Sequence, residues 1–155
     1  MGLIVRTALP AERDAVEHIL RSAFTPYIRN LGREIMPNHY DFLADAIARG
    51  DVWLAIDGEE IAGVAATARR ETGLYIDRLG TAPTRQGTGV GSFLLEHLEE
   101  IARAADLAEM SLETAEMAEG NIRLYRRHGF EIVRRGLPSH GLDAHPRVFM
   151  VKPLD

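Results

Sequence analysis

The sequence predicts an α/β domain built on a mixed sheet. Three strand-like runs, at residues 52–56, 61–69 and 74–81, follow one another with turn signals and no helix between them, so they pair antiparallel. A helical pattern begins at Val90, with Phe93, Leu94, His97, Leu98 and Ile101 at i, i+3, i+4, i+7 spacing. A short strand at 110–114 comes next, and strand, helix, strand closes as a right-handed parallel crossover. A sheet with both kinds of neighbour, covered by helices on both faces, follows from these three observations.

Residues 3–7 read as a first strand. Pro10 suits the first turn of a helix, with Glu12 and Asp14 near its positive end. Val16, Ile19, Leu20 and Ala23 make the apolar face of that helix, and Pro26 is expected to end it. Residues 27–37 are irregular, with Gly32 and Pro37 as breakers. A second helix is expected over 38–49, burying Tyr40, Leu43 and Ile47, with Gly50 as its cap. Asp57-Gly58 between two apolar runs is a hairpin signal, and a second turn near Thr72-Gly73 leads to the central strand. Beyond the central helix and the strand at 110–114, a short helix at 119–128 ends at Gly129. A strand at 130–135, a loop at 136–146 rich in Gly, Pro, Ser and His, and a last strand at 147–152 complete the order β-α-α-β-β-β-α-β-α-β-β. No internal repeat, linker or low-complexity tract divides the chain, so residues 1–155 read as one domain.

Composition narrows the function classes. The chain has 155 residues and is 46% hydrophobic, enough for one proper core and hardly two. It has no cysteine, which removes disulfides, zinc–thiolate sites and thiol nucleophiles, and no metal is expected. A net charge of −5 argues against nucleic acid as a partner and fits a cationic or neutral small substrate. The first residues, MGLIVRTALPAERD, hold no long apolar stretch, so neither a signal peptide nor a membrane span is expected and the cytoplasm is the default compartment.

The chain is organised around the turn between the central strand and the central helix: Gln86, Gly87, Thr88, Gly89, Val90, Gly91. Glycines let a backbone turn sharply and bring N–H groups close to an anion, and the helix behind adds unpaired donors and the positive end of its dipole. Three phosphate-binding patterns compete. A P-loop needs GxxxxGK followed by Ser or Thr, and no Lys follows these glycines. A dinucleotide turn needs GxGxxG in the first strand–helix–strand unit, whereas this GxGxG sits mid-chain behind three antiparallel strands. The third pattern, QxxGxG, is met by Gln86, Gly89 and Gly91. A glycine-rich turn without a ligand is the plain alternative. About 35 residues on, Asn121, Leu124-Tyr125 and Gly129-Phe130 form a second cluster in the short helix and the turn that ends it.

Together the two clusters and the element order resemble the GCN5-related N-acetyltransferase (GNAT) family over nearly the whole chain. The resemblance implies a cosubstrate, acetyl-CoA, lying between the central strand and the strand at 110–114, which splay apart in this family. It implies that the backbone of Leu79, Gly80 and Thr81 bonds the acetyl carbonyl and pantetheine arm. The N–H groups of Gly87, Thr88, Gly89, Val90, Gly91 and Ser92 would hold the pyrophosphate, with Gln86 opening the loop. Asn121 would reach the pantetheine arm, and Tyr125 would sit near the thioester sulfur. Two departures are minor: Gln86 stands within the Arg85-Gln86-Gly87 stretch where Arg-Gly is common, and Thr81 stands where an apolar β-branched residue is commoner.

The chemistry that the family performs explains these choices. An amine attacks the thioester directly, so no covalent enzyme intermediate is needed. The oxyanion needs a preorganised backbone donor, a contribution of about 3 kcal/mol. The thiolate needs a proton, which a phenol of pKa near 10 can supply, so Tyr125 is the candidate acid; its alternative is a tyrosine packed on the sheet. Asn121 could equally be the N-cap of its own helix. The base is open between Asp77 and Glu113, and the strand register that decides their faces is not fixed by sequence; Asp77 would share a face with Leu79 and Thr81 by simple alternation, and could instead be ion-paired with Arg78. His39, His140 and His145 have suitable intrinsic pKa values but read equally as solvated loop histidines.

The resemblance places the acceptor pocket on residues 24–40 and 136–145, with Tyr27, Arg29, Arg33, His39, Tyr40, His140 and nearby Arg147 available to an anionic or polar amine. The implied activity is transfer of acetyl from acetyl-CoA to a primary amine of a small molecule or peptide, by a monomer or homodimer with neither nucleic-acid nor membrane partner. Two rivals remain: a catalytically silent acyl-CoA-binding module of the same fold, which would not consume thioester, and a dinucleotide-binding protein, which would bind NAD in place of CoA.

Overall fold

The computed structural model describes residues 2–155. The elements are β1 (Leu3–Thr7), α1 (Arg13–Asn30), α2 (Leu43–Arg49), β2 (Val52–Asp57), β3 (Glu60–Arg69), β4 (Gly73–Thr81), α3 (Val90–Ala104), β5 (Glu109–Ala115), α4 (Glu119–Arg127), β6 (Glu131–Gly136) and β7 (Arg147–Pro153). Short 3₁₀ turns at Pro10–Glu12 and Pro83–Arg85 precede α1 and α3. The element order is the one the sequence predicts. Seven strands form one mixed sheet in the order β1-β2-β3-β4-β5-β7-β6, and β4–β5 is its parallel pair.

Strand alternation divides the core between the two faces of the sheet. Val52, Leu54, Ile56 and Val64 point at α1 and α2 and bury Val16, Leu20, Tyr40 and Leu43. Leu74, Ile76, Met110, Leu112, Val148 and Met150 point the other way, at α3 and α4. Helix α3 buries Val90, Leu94, Leu95, Leu98 and Ala102, each leucine contributing about 1.5–3 kcal/mol. The predicted stripe is rotated slightly: Phe93, His97 and Ile101 lie half-buried at its edge. Gly63 lets the start of α3 press onto β3, because a Cβ there would meet Val90 Cγ1 at 2.6 Å.

Two expectations are corrected. Pro26 does not end the first helix, which runs on to Asn30 with Pro26 inside it. The burial of Ile28 and Leu31, 7% and 2% exposed, outweighs the hydrogen bond lost at the proline, and the chain leaves the helix only at Gly32. The second helix is shorter than expected. Residues 38–42 form turns with i to i+3 bonds, Asp41 N–H to Asn38 carbonyl among them, and α2 begins at Leu43. The predicted burial of Tyr40, Leu43 and Ile47 holds. Among the described residues no helix is long and apolar enough to cross a membrane.

Candidate active site

The site begins with a break in the sheet. β4 and β5 pair only from Gly73 with Glu109 to Ile76 with Leu112. Beyond that β4 stays paired with β3 up to Thr81, and β5 with β7 up to Ala115, so the two strands diverge and leave a gap. The cause is a bulge in β4: Ala66 pairs with Arg78 and Thr67 with Ile76, so Asp77 is the extra residue. The edge of β4 over Leu79, Gly80 and Thr81 therefore carries N–H and C=O groups with no strand beside them. On the opposite edge the Ala115 N–H donates to the Tyr27 hydroxyl at 2.9 Å.

The bulge also settles the faces of the candidate carboxylates. Ile76 and Leu79, three residues apart, both pack into the α3 cluster. Asp77 and Arg78 between them thus turn to the opposite face, where Arg78 lies over Phe42. Simple alternation, which put Asp77 with Leu79 and Thr81, fails here. Asp77 forms the ion pair with Arg78 at 3.3 Å that was its alternative role. Glu113 lies on that same face, because Leu112 before it enters the α3 cluster. Its carboxylate accepts from the Ser139 N–H at 3.1 Å and the Ser139 hydroxyl at 3.3 Å.

The glycine turn closes the end of β4. Gly87 and Gly89 have φ of 77° and 90°, left-handed values that a side chain resists. Gly89 is the N-cap of α3, and Phe93 N–H to the Gly89 carbonyl is the first bond of the helix, so the N–H groups of Val90, Gly91 and Ser92 have no partner within it, while the Thr88 N–H donates to the Arg85 carbonyl at 3.3 Å. The first turn of α3 holds no acidic residue, which leaves the positive end of the dipole uncompensated. Gly91 is not strained; a Cβ there would touch Leu124 at an ordinary 3.6 Å. The turn is clamped from below by Arg85, which donates to Asp57 and Glu60 at 2.7 Å each, and Thr88 Oγ1 bonds the Arg85 carbonyl. Ser92 Oγ lies 3.0 Å from His128 Nε2, linking the start of α3 to the end of α4. This donor set suits a diphosphate.

Between the gap and α1 lies a cavity of about 510 Å³. It brings together Tyr27, Asp77, Leu79, Glu113, Asn121 and Tyr125. Tyr125 stands edge-on to Phe130 with ring centroids 5.9 Å apart. Among the described residues its hydroxyl has no protein partner, yet it is not sealed: Tyr40 carries the one fully buried, unpartnered side-chain oxygen. Burial pushes the Tyr125 phenol well above its ordinary value, and the Tyr27 phenol adds to the shift. Asn121 is exposed in the first turn of α4 and does not cap it; the N-cap is Ala118.

The far wall of the cavity is an ionic lock. Asp143 accepts from Arg147 at 3.0 Å through each oxygen and from Arg33 at 3.2 Å, and all but 5% of its side chain is buried. These guanidinium groups, Arg147 foremost, hold the Asp143 carboxyl far below the usual carboxylate range. Of the histidines, His39 and His140 line the cavity and both are held down by burial first and nearby arginines second. His39 Nε2 faces the Arg78 guanidinium at 3.3 Å, and His140 Nδ1 accepts from the Leu142 N–H at 2.9 Å. Arg29, Tyr40 and His145 do not line the cavity. Ser139, within the 136–145 loop, does line it, as do Arg70, Tyr75, Arg134 and Phe149, which lie outside the segments that the sequence pointed to. Tyr75 between Leu74 and Ile76, and Phe149 between Val148 and Met150, carried the signal: a side chain facing away from its apolar neighbours.

Residues 13–130 match the family model described as acetyltransferase (GNAT) family. The chain belongs to this family. Family membership makes it an acyl-CoA-dependent N-acetyltransferase by class and removes the dinucleotide-binding alternative. A relative from Azospirillum brasilense named IAA acetyltransferase is 32% identical, over 94% of this chain and all of that protein. Among solved structures, Ard1 from Thermoplasma volcanium superposes with a TM-score of 0.82 at 16% identity, over 100% of this chain and 99% of that one. The PaiA N-acetyltransferase of Thermoplasma acidophilum, in complex with coenzyme A, gives 0.79 at 17% identity, over 99% of this chain and 100% of that one. At these identities both structures speak for the fold.

Proposed function

We propose that the protein moves the acetyl group of acetyl-CoA directly to a primary amine of a small molecule or peptide. The observation that carries this is the gap between β4 and β5, which has the uncompensated start of α3 near one end and the cavity holding Tyr125 and Glu113 beside it. The coenzyme A held by the PaiA relative of the same fold supports the choice of cosubstrate.

In this reading the N–H groups from Gly87 to Ser92 hold the diphosphate, Gln86 opens the loop, and the edge of β4 over Leu79, Gly80 and Thr81 takes the pantetheine arm and the acetyl carbonyl. Asn121 reaches the same arm from α4. The amine lone pair attacks the carbonyl carbon, a C–N bond forms, and the negative charge on oxygen rests on a β4 N–H donor. The nitrogen becomes acidic as the bond forms, and its proton passes to a carboxylate. Glu113 suits this role better than Asp77, because Asp77 is paired with Arg78 while Glu113 is met only by Ser139. The C–S bond then breaks, and the thiolate takes the Tyr125 proton. A raised phenol pKa does not disqualify Tyr125, since the leaving thiolate is desolvated in the same cavity and rises with it.

Thermal denaturation with each nucleotide, joined to release of free thiol with a panel of amines, tests the proposal. A ligand at 100 times its Kd adds about 2.7 kcal/mol of stability. Acetyl-CoA and CoA should shift the melting temperature, NAD and ATP should not, and thiol should appear only with an amine present. A shift with NAD and none with CoA, or binding without thiol release, would refute it.

A further inference from the structure

We infer that the amine acceptor also carries a carboxylate, held by the guanidinium group of Arg70 or of Arg134. This rests on the N-acetyltransferase reading of the same cavity and narrows its substrate class.

The floor of the cavity follows from strand register. Glu113 pairs with Phe149 across β5 and β7, and Phe149 pairs with Arg134 across β7 and β6, so the three share one face. Tyr75 pairs with Ser111, two residues before Glu113, and joins the same face. The floor is therefore two aromatic rings with a carboxylate between them. Each ring carries an arginine over it: Arg70 Cζ stands 3.7 Å from the Tyr75 centroid and Arg134 Cζ 3.7 Å from the Phe149 centroid.

The lining carries more positive side chains than negative ones. Arg33, Arg70, Arg78, Arg134 and Arg147 line the cavity, against Asp77 and Glu113. Arg33 and Arg147 share Asp143, and Arg78 takes Asp77. Among the described residues Arg70 and Arg134 have no carboxylate within ion-pair distance. Stacking on a ring fixes a guanidinium plane and leaves its N–H fork at the edge, the geometry that binds a carboxylate through two parallel bonds. A purely cationic amine would meet two unpaired positive charges on this floor. An amino acid meets a complement: its neutral amino group at Glu113 and its carboxylate at a stacked arginine.

The test is thiol release from acetyl-CoA with amines offered in pairs: phenylalanine, methionine, glutamate and β-alanine, each against its carboxamide. In the wild-type protein kcat/KM for at least one acid should exceed that for its amide by about tenfold or more, expressed in KM. Arg70→Gln or Arg134→Gln, both exposed side chains, should collapse that ratio toward one, with melting temperature and CoA affinity held. Equal use of acids and amides, or a ratio that survives both substitutions, overturns this inference and leaves the N-acetyltransferase reading standing. Failure to bind CoA and to release thiol with any amine overturns both.

Discussion

Replacing Tyr125 with phenylalanine separates a proton donor from a packing residue. The substitution keeps the ring against Phe130 and removes only a hydroxyl that has no protein partner among the described residues and opens on the cavity. No hydrogen bond is lost and no buried group is orphaned, so the change in stability should stay within about 0.5 kcal/mol. CoA affinity should stay within about twofold, because the contacts proposed for the pantetheine arm and diphosphate come from β4 and the α3 turn. Turnover should fall roughly 10- to 1,000-fold, reaching into the range of about 100- to 10,000-fold usual for a positioned acid. The assay is thiol release at saturating acetyl-CoA and amine, under conditions where chemistry limits. The pH profile adds a second reading. Burial raises the phenol above its ordinary value, so the acid form persists to higher pH than a free tyrosine would allow, and kcat of the wild type should show no alkaline loss from this group below about pH 10. A fall of less than about threefold in the variant, with chemistry limiting, would refute the acid role. A large loss of stability with turnover of the folded fraction intact would assign Tyr125 to packing instead.

Asp143→Asn leaves the Arg147 side chain, 4% exposed, without its carboxylate partner, and should cost about 3–5 kcal/mol, read as a fall of roughly 10 °C in Tm by calorimetry. The wild-type stabilisation from this carboxyl is present above the ordinary aspartate value of 3.8 and is lost as pH falls through its depressed folded value, so the gap between wild type and variant should be constant near neutrality and shrink only below about pH 4. Gly89→Val puts a β-branched side chain at φ 90°, a strain of about 1–3 kcal/mol, and should weaken CoA at least about tenfold by titration calorimetry while the far-ultraviolet circular dichroism stays native. Glu113→Gln should lower kcat/KM for the amine by roughly 10- to 100-fold with CoA affinity unchanged, measured by thiol release across a series of amine concentrations.

Local signals were the legible ones. The glycine turn, the Asp57-Gly58 hairpin and the period of α3 are written in neighbouring residues, and each appears where the sequence put it. The parallel step from β4 to β5 was legible too, because strand, helix, strand closes in one hand. The opening of that pair beyond Ile76 was known only through family resemblance. Its physical cause, the bulge at Asp77, depends on pairing with β3 and has no mark in β4 itself. That single extra residue is also why alternation misjudged the face of Asp77. Pro26 was overread for a similar reason: a local rule against proline in helices gave way to the tertiary burial of Ile28 and Leu31. Arg33 and Arg147 were named as pocket residues, but their pairing with Asp143 stayed hidden because Arg33 and Asp143 meet across 110 residues of chain. Arg70 and Arg134 escaped notice because an arginine becomes informative only when its ring partner and its missing counter-charge are both known.

Direct transfer is the claim on which the mechanism stands, and a single-turnover experiment measures it. The protein is loaded with substoichiometric acetyl-CoA, mixed rapidly with an accepted amine, quenched at intervals and read by mass spectrometry of both protein and small molecules. Free CoA and N-acetylated amine should appear together at one rate while the mass of the protein never changes, as befits a chain without cysteine. An acetylated protein that forms and decays at the turnover rate, or CoA released with no acetylated amine, would contradict it.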